Sequence, residues 1–246
     1  MLHVVRWHRD ELPALVDAIN ATGYGLTHGI HTRIDETAAA ILARVHAGNV
    51  YINRNIVGAV VGVQPFGGHG LSGTGPKAGG PLYVRRLVRG AAHLPMPDAS
   101  VALPGPTGEA NTLEIQPRGV VACIADDAEA LIAQTNAARA AGNTPLWLRS
   151  PLTFAARDRL EGASVAFADA LDPGAVDAVL LDASPERAQR VRAEFAAAAG
   201  KIVPIIAPEA DGSYDAARLV VERTVTVNTA AAGGNAALLS LSEDRP

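Results

Sequence analysis

Apolar positions recur along the chain at two different spacings, and the change from one to the other marks out its elements. Leu12, Leu15, Val16 and Ile19 follow the three-and-four spacing of an amphipathic helix, which Asp10 can open and Gly23 can close. Ahead of it the apolar run Leu2 to Trp7 reads as a strand, and Gly25 to Thr32 reads as a second. Ile41, Leu42 and Val45 share one face of another helix, capped by Asp35 and stopped by Gly48, before a third strand at Val50 to Asn53. Strand and helix alternating in this way predict a parallel sheet. Residues 54–82 break the pattern: they are rich in Gly and Pro and predict a long ordered loop. Leu82 to Val88 can add a short element, and His93 to Pro106, with prolines at 95, 97, 104 and 106, reads as a linker.

A second α/β run follows. Strands are predicted at Val120 to Ala125, Pro145 to Arg149, Ser164 to Phe167, Ala178 to Leu181 and Ile202 to Ile206. Helices are predicted from Asp126 or Asp127 to about Ala141, stopped at Gly142, and over 152–160 and 185–199. This is the doubly wound pattern. A last strand, Val220 to Asn228, leads into a tail of small residues.

Composition narrows the function classes. Hydrophobic residues make up 48% and charged residues 19% of the 246, a globular balance. A net charge of −4 gives no footprint for nucleic acid or an anionic membrane. A single cysteine excludes an intrachain disulfide framework and a cysteine-built zinc site, and the seven histidines form no His-x-x-x-His pair beside an acid. The charged start at His3, Arg6, His8, Arg9, Asp10 and Glu11 is neither a signal peptide nor a membrane span, so a soluble cytoplasmic protein is expected.

Two glycine motifs nearly fit phosphate chemistry. Gly68, Gly70 and Gly73 satisfy G-x-G-x-x-G, but Pro65 and Phe66 precede them and Thr74-Gly75-Pro76 follows, where a dinucleotide fingerprint needs a strand and then a helix. Gly70 to Lys77 approaches a P-loop, yet Pro76 stands where lysine belongs. The second α/β run has the opposite fault: its first strand runs into Ala125-Asp126-Asp127-Ala128-Glu129, with no glycine and three carboxylates that repel phosphate. It reads as a Rossmann-type scaffold that does not bind a dinucleotide. Cys123 lies inside an apolar strand without a nearby base and reads as a packing residue. His69 reads as a solvated loop histidine, His28 and His31 as poor joint metal ligands, and Asp126, Asp127 and Glu129 as stabilisers of a helix N-terminus.

Four ordered blocks carry a resemblance: Asn20 to Thr27, Ala47 to Asn53, Gln64 to Gly68, and Ser72 to Gly75. Together they resemble the aldehyde dehydrogenase superfamily over residues 1–90. The loop Gly58 to Phe66 is similar to the substrate-anchoring loop of the glutamate-semialdehyde dehydrogenases. Leu103 to Asn111, Glu222-Arg223 and Asn228 to Asn235 resemble the extra C-terminal domain of the long bifunctional proline utilization A family. The resemblance implies a partial aldehyde dehydrogenase catalytic domain (1–90), a Pro-rich linker (91–106) and a Rossmann-like doubly wound C-terminal domain (107–246). It also implies NAD-dependent oxidation of glutamate γ-semialdehyde, with FAD serving a separate proline dehydrogenase domain.

The anchor must hold a carboxylate far from the aldehyde. Gly58 and Ala59 can present backbone N–H groups with little side-chain obstruction, and Phe66 can flank the aliphatic middle of the substrate. The residues alone favour a tight loop with a core phenylalanine; the family match favours the anchor. The family's nucleophilic cysteine, deacylating glutamate and NAD domain are expected in a missing N-terminal part, so this chain by itself is expected to be inactive. Two rivals stay open: a non-catalytic partner subunit of a split enzyme, and an independent small-molecule-binding α/β domain.

Overall fold

The computed structural model describes residues 2–88, 90, 93–160 and 165–230. They form two compact units: one takes in the described residues of 2–80, 99–114 and 222–230, the other those within 81–98 and 115–221.

In the first unit a short 3-10 turn at Arg9–Glu11 leads into helix α1 (Leu12–Asn20), with Pro13 in its first turn, where a missing N–H costs nothing. Strands β1 (Tyr24–Gly25) and β2 (Thr27–Ile30), helix α2 (Asp35–Arg44) and strand β3 (Asn49–Ile52) follow. β1 pairs antiparallel with a two-residue strand β4 (His69–Gly70). The main sheet adds β5 (Ser100–Leu103), β6 (Glu109–Pro117) and the last strand of the chain, β12 (Val220–Asn228), in the order β2-β3-β12-β6-β5. β2 and β12 flank β3 in parallel, and all four β3 residues are buried. Val16, Ile30, Ala38, Val45, Val50, Ile52 and Val225 form the core between this sheet and its helices.

Three expectations are corrected here. Leu2 to Trp7 forms no strand: among the described residues no strand pairs with it, and Leu2 and Val4 are 88% and 81% exposed. The first strand–helix–strand unit is therefore absent, and parallel pairing begins with β2 and β3. The Pro-rich stretch before Pro106 contains β5, which pairs antiparallel with β6 through Ser100↔Glu114 to Leu103↔Asn111. Residues 99–114 and 222–230 group with the N-terminal segment and not with 115–221, because their strands complete its sheet.

The second unit is the doubly wound part. Strands β7 (Val120–Ala125), β8 (Thr144–Leu148), β9 (Ala166–Ala168), β10 (Ala178–Asp182) and β11 (Ile205–Ile206) pair in parallel in the order β11-β10-β7-β8-β9. Helices α3 (Ala128–Ala140), α4 (Pro151–Arg157) and α5 (Pro185–Ala197) fill the crossovers. Alternate residues of the central strands serve opposite faces, as the pleat requires. Ala122, Ile124, Val179 and Leu181 pack with Ala188 and Val191 of α5. Cys123 and Ala125 pack with Leu131 of α3 and Ala156 of α4, and Leu180 packs with Ala138. The strand order reverses between β7 and β10, which is the topological switch point of this sheet.

Leu180 is fully buried on the α3 face. Leu180→Ala should cost this unit about 2–5 kcal/mol, seen as a lower urea midpoint in the emission of the buried Trp147. An unchanged midpoint would show that the β10 core is not the cooperative centre of the unit.

Candidate functional site

Residues 54–80 have almost no secondary structure, so their order must come from side chains that bond the loop backbone. β3 supplies the first. Asn49 is fully buried; its amide donates to the Pro65 carbonyl at 3.0 Å, and its Oδ1 accepts from the Gly67 N–H at 3.2 Å. β12 supplies more. Thr224 donates to the same Pro65 carbonyl at 2.7 Å, and a carboxylate oxygen of Glu222 accepts the Lys77 N–H at 2.7 Å. The Glu222 carbonyl lies 3.0 Å from His69 Nε2. His69 is therefore half-buried and tied to β12, not a solvated loop residue as expected.

Lys77 completes this layer. Its ammonium donates to Asn49 Oδ1 at 2.7 Å and to the Gly67 carbonyl at 2.6 Å, and only 2% of the residue is exposed. Burial pulls its pKa down to about 7, with the Glu222 carboxylate pulling the other way. The tightness is also visible at Gly48, where an added Cβ would lie 1.9 Å from the Gly67 carbonyl oxygen. Sequence reasoning singled out none of Asn49, Lys77 and Thr224 as functional; a polar side chain in a strand or a Gly-rich loop carries no local signal of a distant partner.

The three expected site residues sit in the same loop but in different settings. Gly58 is exposed with φ of 77°, a left-handed conformation that favours glycine, and an added Cβ would meet nothing within 4 Å. Ala59 is half-buried beside it. Phe66 is half-buried too, and its backbone exchanges two hydrogen bonds with Ala78 at 2.9 and 3.0 Å. Arg54 donates to the Gly58 carbonyl at 3.3 Å, and its guanidinium stacks 5.3 Å from the Tyr51 ring centroid. At the other end of the loop, Gln64 Oε1 accepts the Val60 N–H at 2.9 Å. Between these ties Val57 and Val61 stand 79% and 97% exposed.

The glycine-rich motif does not fit a dinucleotide. β4 lies inside it, no helix opens after it, and a Cβ on Gly68 would lie 2.6 Å from the Ser72 Cβ, so the motif makes a close-packed turn. The switch point of the second unit is filled by its own side chains. Asp126 follows β7 and accepts the Ser184 N–H at the start of α5 at 2.5 Å, while Arg187 donates to the Asp126 carboxylate at 2.6 Å and to the Ala125 carbonyl at 2.8 Å. These bonds hold the Asp126 carboxyl below its usual range, with the Arg187 bond the largest cause. Asp126 thus serves α5, whereas Asp127 caps α3 through the Ala130 N–H and Glu129 pairs with Arg159. Neither place among the described residues offers the pyrophosphate cradle that NAD needs. Cys123 is 3% exposed, and burial pushes its thiol up to about 12. Among the described residues no group of three His, Cys, Asp or Glu could hold a metal, and no helix is long and apolar enough to cross a membrane.

Residues 2–89 match the model of the aldehyde dehydrogenase family. The chain is 39% identical to the Bifunctional protein PutA of Escherichia coli (strain K12), over 98% of this chain and 22% of that protein. The figures for the Rhizobium meliloti protein of the same name are 39%, 98% and 24%. The chain thus spans about a quarter or less of the curated relatives it matches. The Escherichia coli alignment runs over 300 positions, more than the 246 residues here, so that relative carries residues with no counterpart in this chain. The 1-pyrroline-5-carboxylate dehydrogenase 1 of Halalkalibacterium halodurans is 46% identical over 28% of this chain and 13% of its own length. Among solved structures, Proline Utilization A (PutA) from Corynebacterium freiburgense shares the fold, with a TM-score of 0.58 at 23% identity over 88% of this chain and 24% of that one.

Two measurements follow from the site. Lys77 has a folded pKa below its usual 10.5, so the unfolded chain binds more protons between about pH 7 and 10.5. The stability of wild type relative to Lys77→Met should therefore rise as pH rises through that window, and a fall would overturn the reading. Cys123 should resist iodoacetamide at pH 8 in the folded chain and react fully in urea; fast labelling of folded protein would show that the β7 thiol is accessible.

Proposed function

Because residues 2–89 belong to the aldehyde dehydrogenase family, we propose that this chain supplies the substrate-carboxylate anchor of an NAD-dependent glutamate γ-semialdehyde dehydrogenase in proline catabolism. The named relatives support the reaction class: one is a pyrroline-5-carboxylate dehydrogenase, and pyrroline-5-carboxylate is the cyclised form of that semialdehyde. The observation that carries the anchor is the loop at Gly58. Gly58 has open space around it, and Arg54 and Gln64 at the two ends of the loop both bond Glu109 at the start of β6. In this reading the N–H groups of Gly58 and Ala59 hold the α-carboxylate, and Phe66 borders the aliphatic carbons. A carboxylate held there fixes the substrate's far end, so that its aldehyde is presented in one orientation.

The rest of the enzyme lies outside the described residues. Attack by a cysteine and hydride transfer to NAD belong to a partner part, which the exposed Val57 and Val61 suit as an apolar contact surface. FAD belongs to the proline dehydrogenase part of the longer enzyme. In that enzyme the strands within 99–114 and 222–230 belong with the partial catalytic domain at 1–90, the doubly wound part within 115–221 is a lid-like domain, and the whole acts in the cytoplasm. By this reading neither nucleic acid nor a membrane is a partner of this segment.

The purified chain, given NAD and pyrroline-5-carboxylate, should form no NADH; formation of NADH would overturn its dependence on a partner part. In the active enzyme that contains this chain, Ala59→Asp should raise KM for the semialdehyde about tenfold or more through like-charge repulsion, while sparing KM for propanal, which has no carboxylate. Equal effects on both substrates would remove the anchor role from this loop.

A further inference from the structure

The two stems of the Gly58 loop meet at a single carboxylate that comes from a distant part of the sequence. Arg54, at the start of the loop, places Nε 3.3 Å from Glu109 Oε2. Gln64, at its end, donates through Nε2 to Glu109 Oε1 at 2.7 Å. Each stem residue then reaches inward to the loop backbone: Arg54 donates to the Gly58 carbonyl, and Gln64 Oε1 accepts the Val60 N–H. We propose that Glu109 is a positioning residue for the carboxylate anchor, clamping both ends of residues 55–63 from β6. This rests on the anchor reading of the loop for its functional consequence, and on the hydrogen bonds alone for the clamp.

Glu109 is itself held. Asn111 Nδ2 donates to Glu109 Oε1 at 3.0 Å, and Asn111 Oδ1 accepts from Gln64 Nε2 at 3.2 Å and from Thr226 on β12 at 2.7 Å. Asn111 is 3% exposed and Thr226 fully buried, so these bonds are made out of water, where breaking one leaves an unpaired polar group. The turn before β6 is shaped for this. A Cβ on Gly105 would lie 2.5 Å from Asn111 Nδ2, and the Glu109 N–H donates to the Pro106 carbonyl at 3.1 Å. The Gly108 carbonyl then accepts the Thr229 and Ala230 N–H groups at 2.8 and 3.1 Å, while Asn228 donates to the Asn53 carbonyl at 3.2 Å. The stretch Pro104 to Asn111 and the residues that end β12 therefore converge under the loop stems within one compact unit. Of the sequence motif that continues from Asn228, residues 231–235 lie outside the described residues.

The clamp has two arms that chemistry can separate. Glu109→Ala removes both; Glu109→Gln keeps an oxygen for Gln64 and Asn111 but loses the ion pair with Arg54. Backbone amide exchange of the full chain, resolved by residue, reads each arm. Glu109→Ala should speed exchange at Val60 and Gln64 about tenfold or more, with β7 and β10 unchanged as an internal control for folding. Glu109→Gln should leave Val60 protected. Equal protection at Val60 in wild type and Glu109→Ala, or loss at Val60 in Glu109→Gln equal to that in Glu109→Ala, would overturn the clamp. Glutarate then serves as the carboxylate probe: its shifts of the Gly58 and Ala59 amides should weaken about tenfold or more in Glu109→Ala and recover in Glu109→Gln. Absence of glutarate shifts in wild type, with the exchange pattern as expected, would sink the anchor reading and leave the clamp standing.

Discussion

A loop of glycines, prolines and valines cannot hold its own shape, because it has few backbone partners and few side chains that reach back to itself. Everything at the aldehyde-family end of this protein depends on how that loop is fastened. The fastening is a layer of polar side chains: buried Asn49, Lys77, Thr224 and Glu222 hold residues 65–77, and partly buried Glu109 with buried Asn111 and Thr226 holds residues 54–64. Such a layer is stable only when its members are bonded together, since a buried amide or carboxylate left without a partner costs more than a made hydrogen bond contributes. The layer therefore specifies one loop conformation instead of adding much to net stability.

The same layer explains the order of the sheet. β12 lies beside β3 in register Thr224↔Asn49 to Val227↔Ile52, which sets Thr224 next to Asn49 and brings both to the Pro65 carbonyl. Arg223 points the other way along the strand, donating to Glu114 on β6 and to the Leu42 carbonyl at the end of α2. Adjacent residues of one strand thus serve opposite faces: one holds a loop, the next holds a helix. A shift of one residue in this register would exchange the two sets and undo both.

Much of this was legible in the sequence, and the reason differs from element to element. α1 and α2 follow apolar spacing, α3 lies between an acidic cap and Gly142, and β7, β10 and β12 are apolar runs or alternations with clear punctuation, so local pattern was enough. The four blocks within residues 1–90 were legible as a resemblance, and residues 2–89 match the family model; Glu109 and Glu222, from the two later motifs, both bond the loop between β3 and β5. Leu2 to Trp7 misled because apolar content alone does not make a strand without a neighbour. The partners of Lys77 and Glu109 were not legible at all. Glu222 lies 145 residues from Lys77 and Glu109 lies 45 from Gln64, and no periodicity connects residues across such distances.

The second unit shows why architecture is a poor guide to ligands. Its strand order reverses between β7 and β10, the place where a doubly wound sheet ordinarily receives a nucleotide, and α5 begins just after β10. The anion that satisfies that helix end is already part of the chain. Asp126 bonds the Ser184 N–H, and Arg187 closes over both Asp126 and the Ala125 carbonyl. An incoming phosphate would have to displace a carboxylate that is covalently delivered, paired with a guanidinium and held deprotonated by those same bonds. It would gain from the helix dipole only what Asp126 already takes. The scaffold is nucleotide-shaped, but its anion position is filled from within.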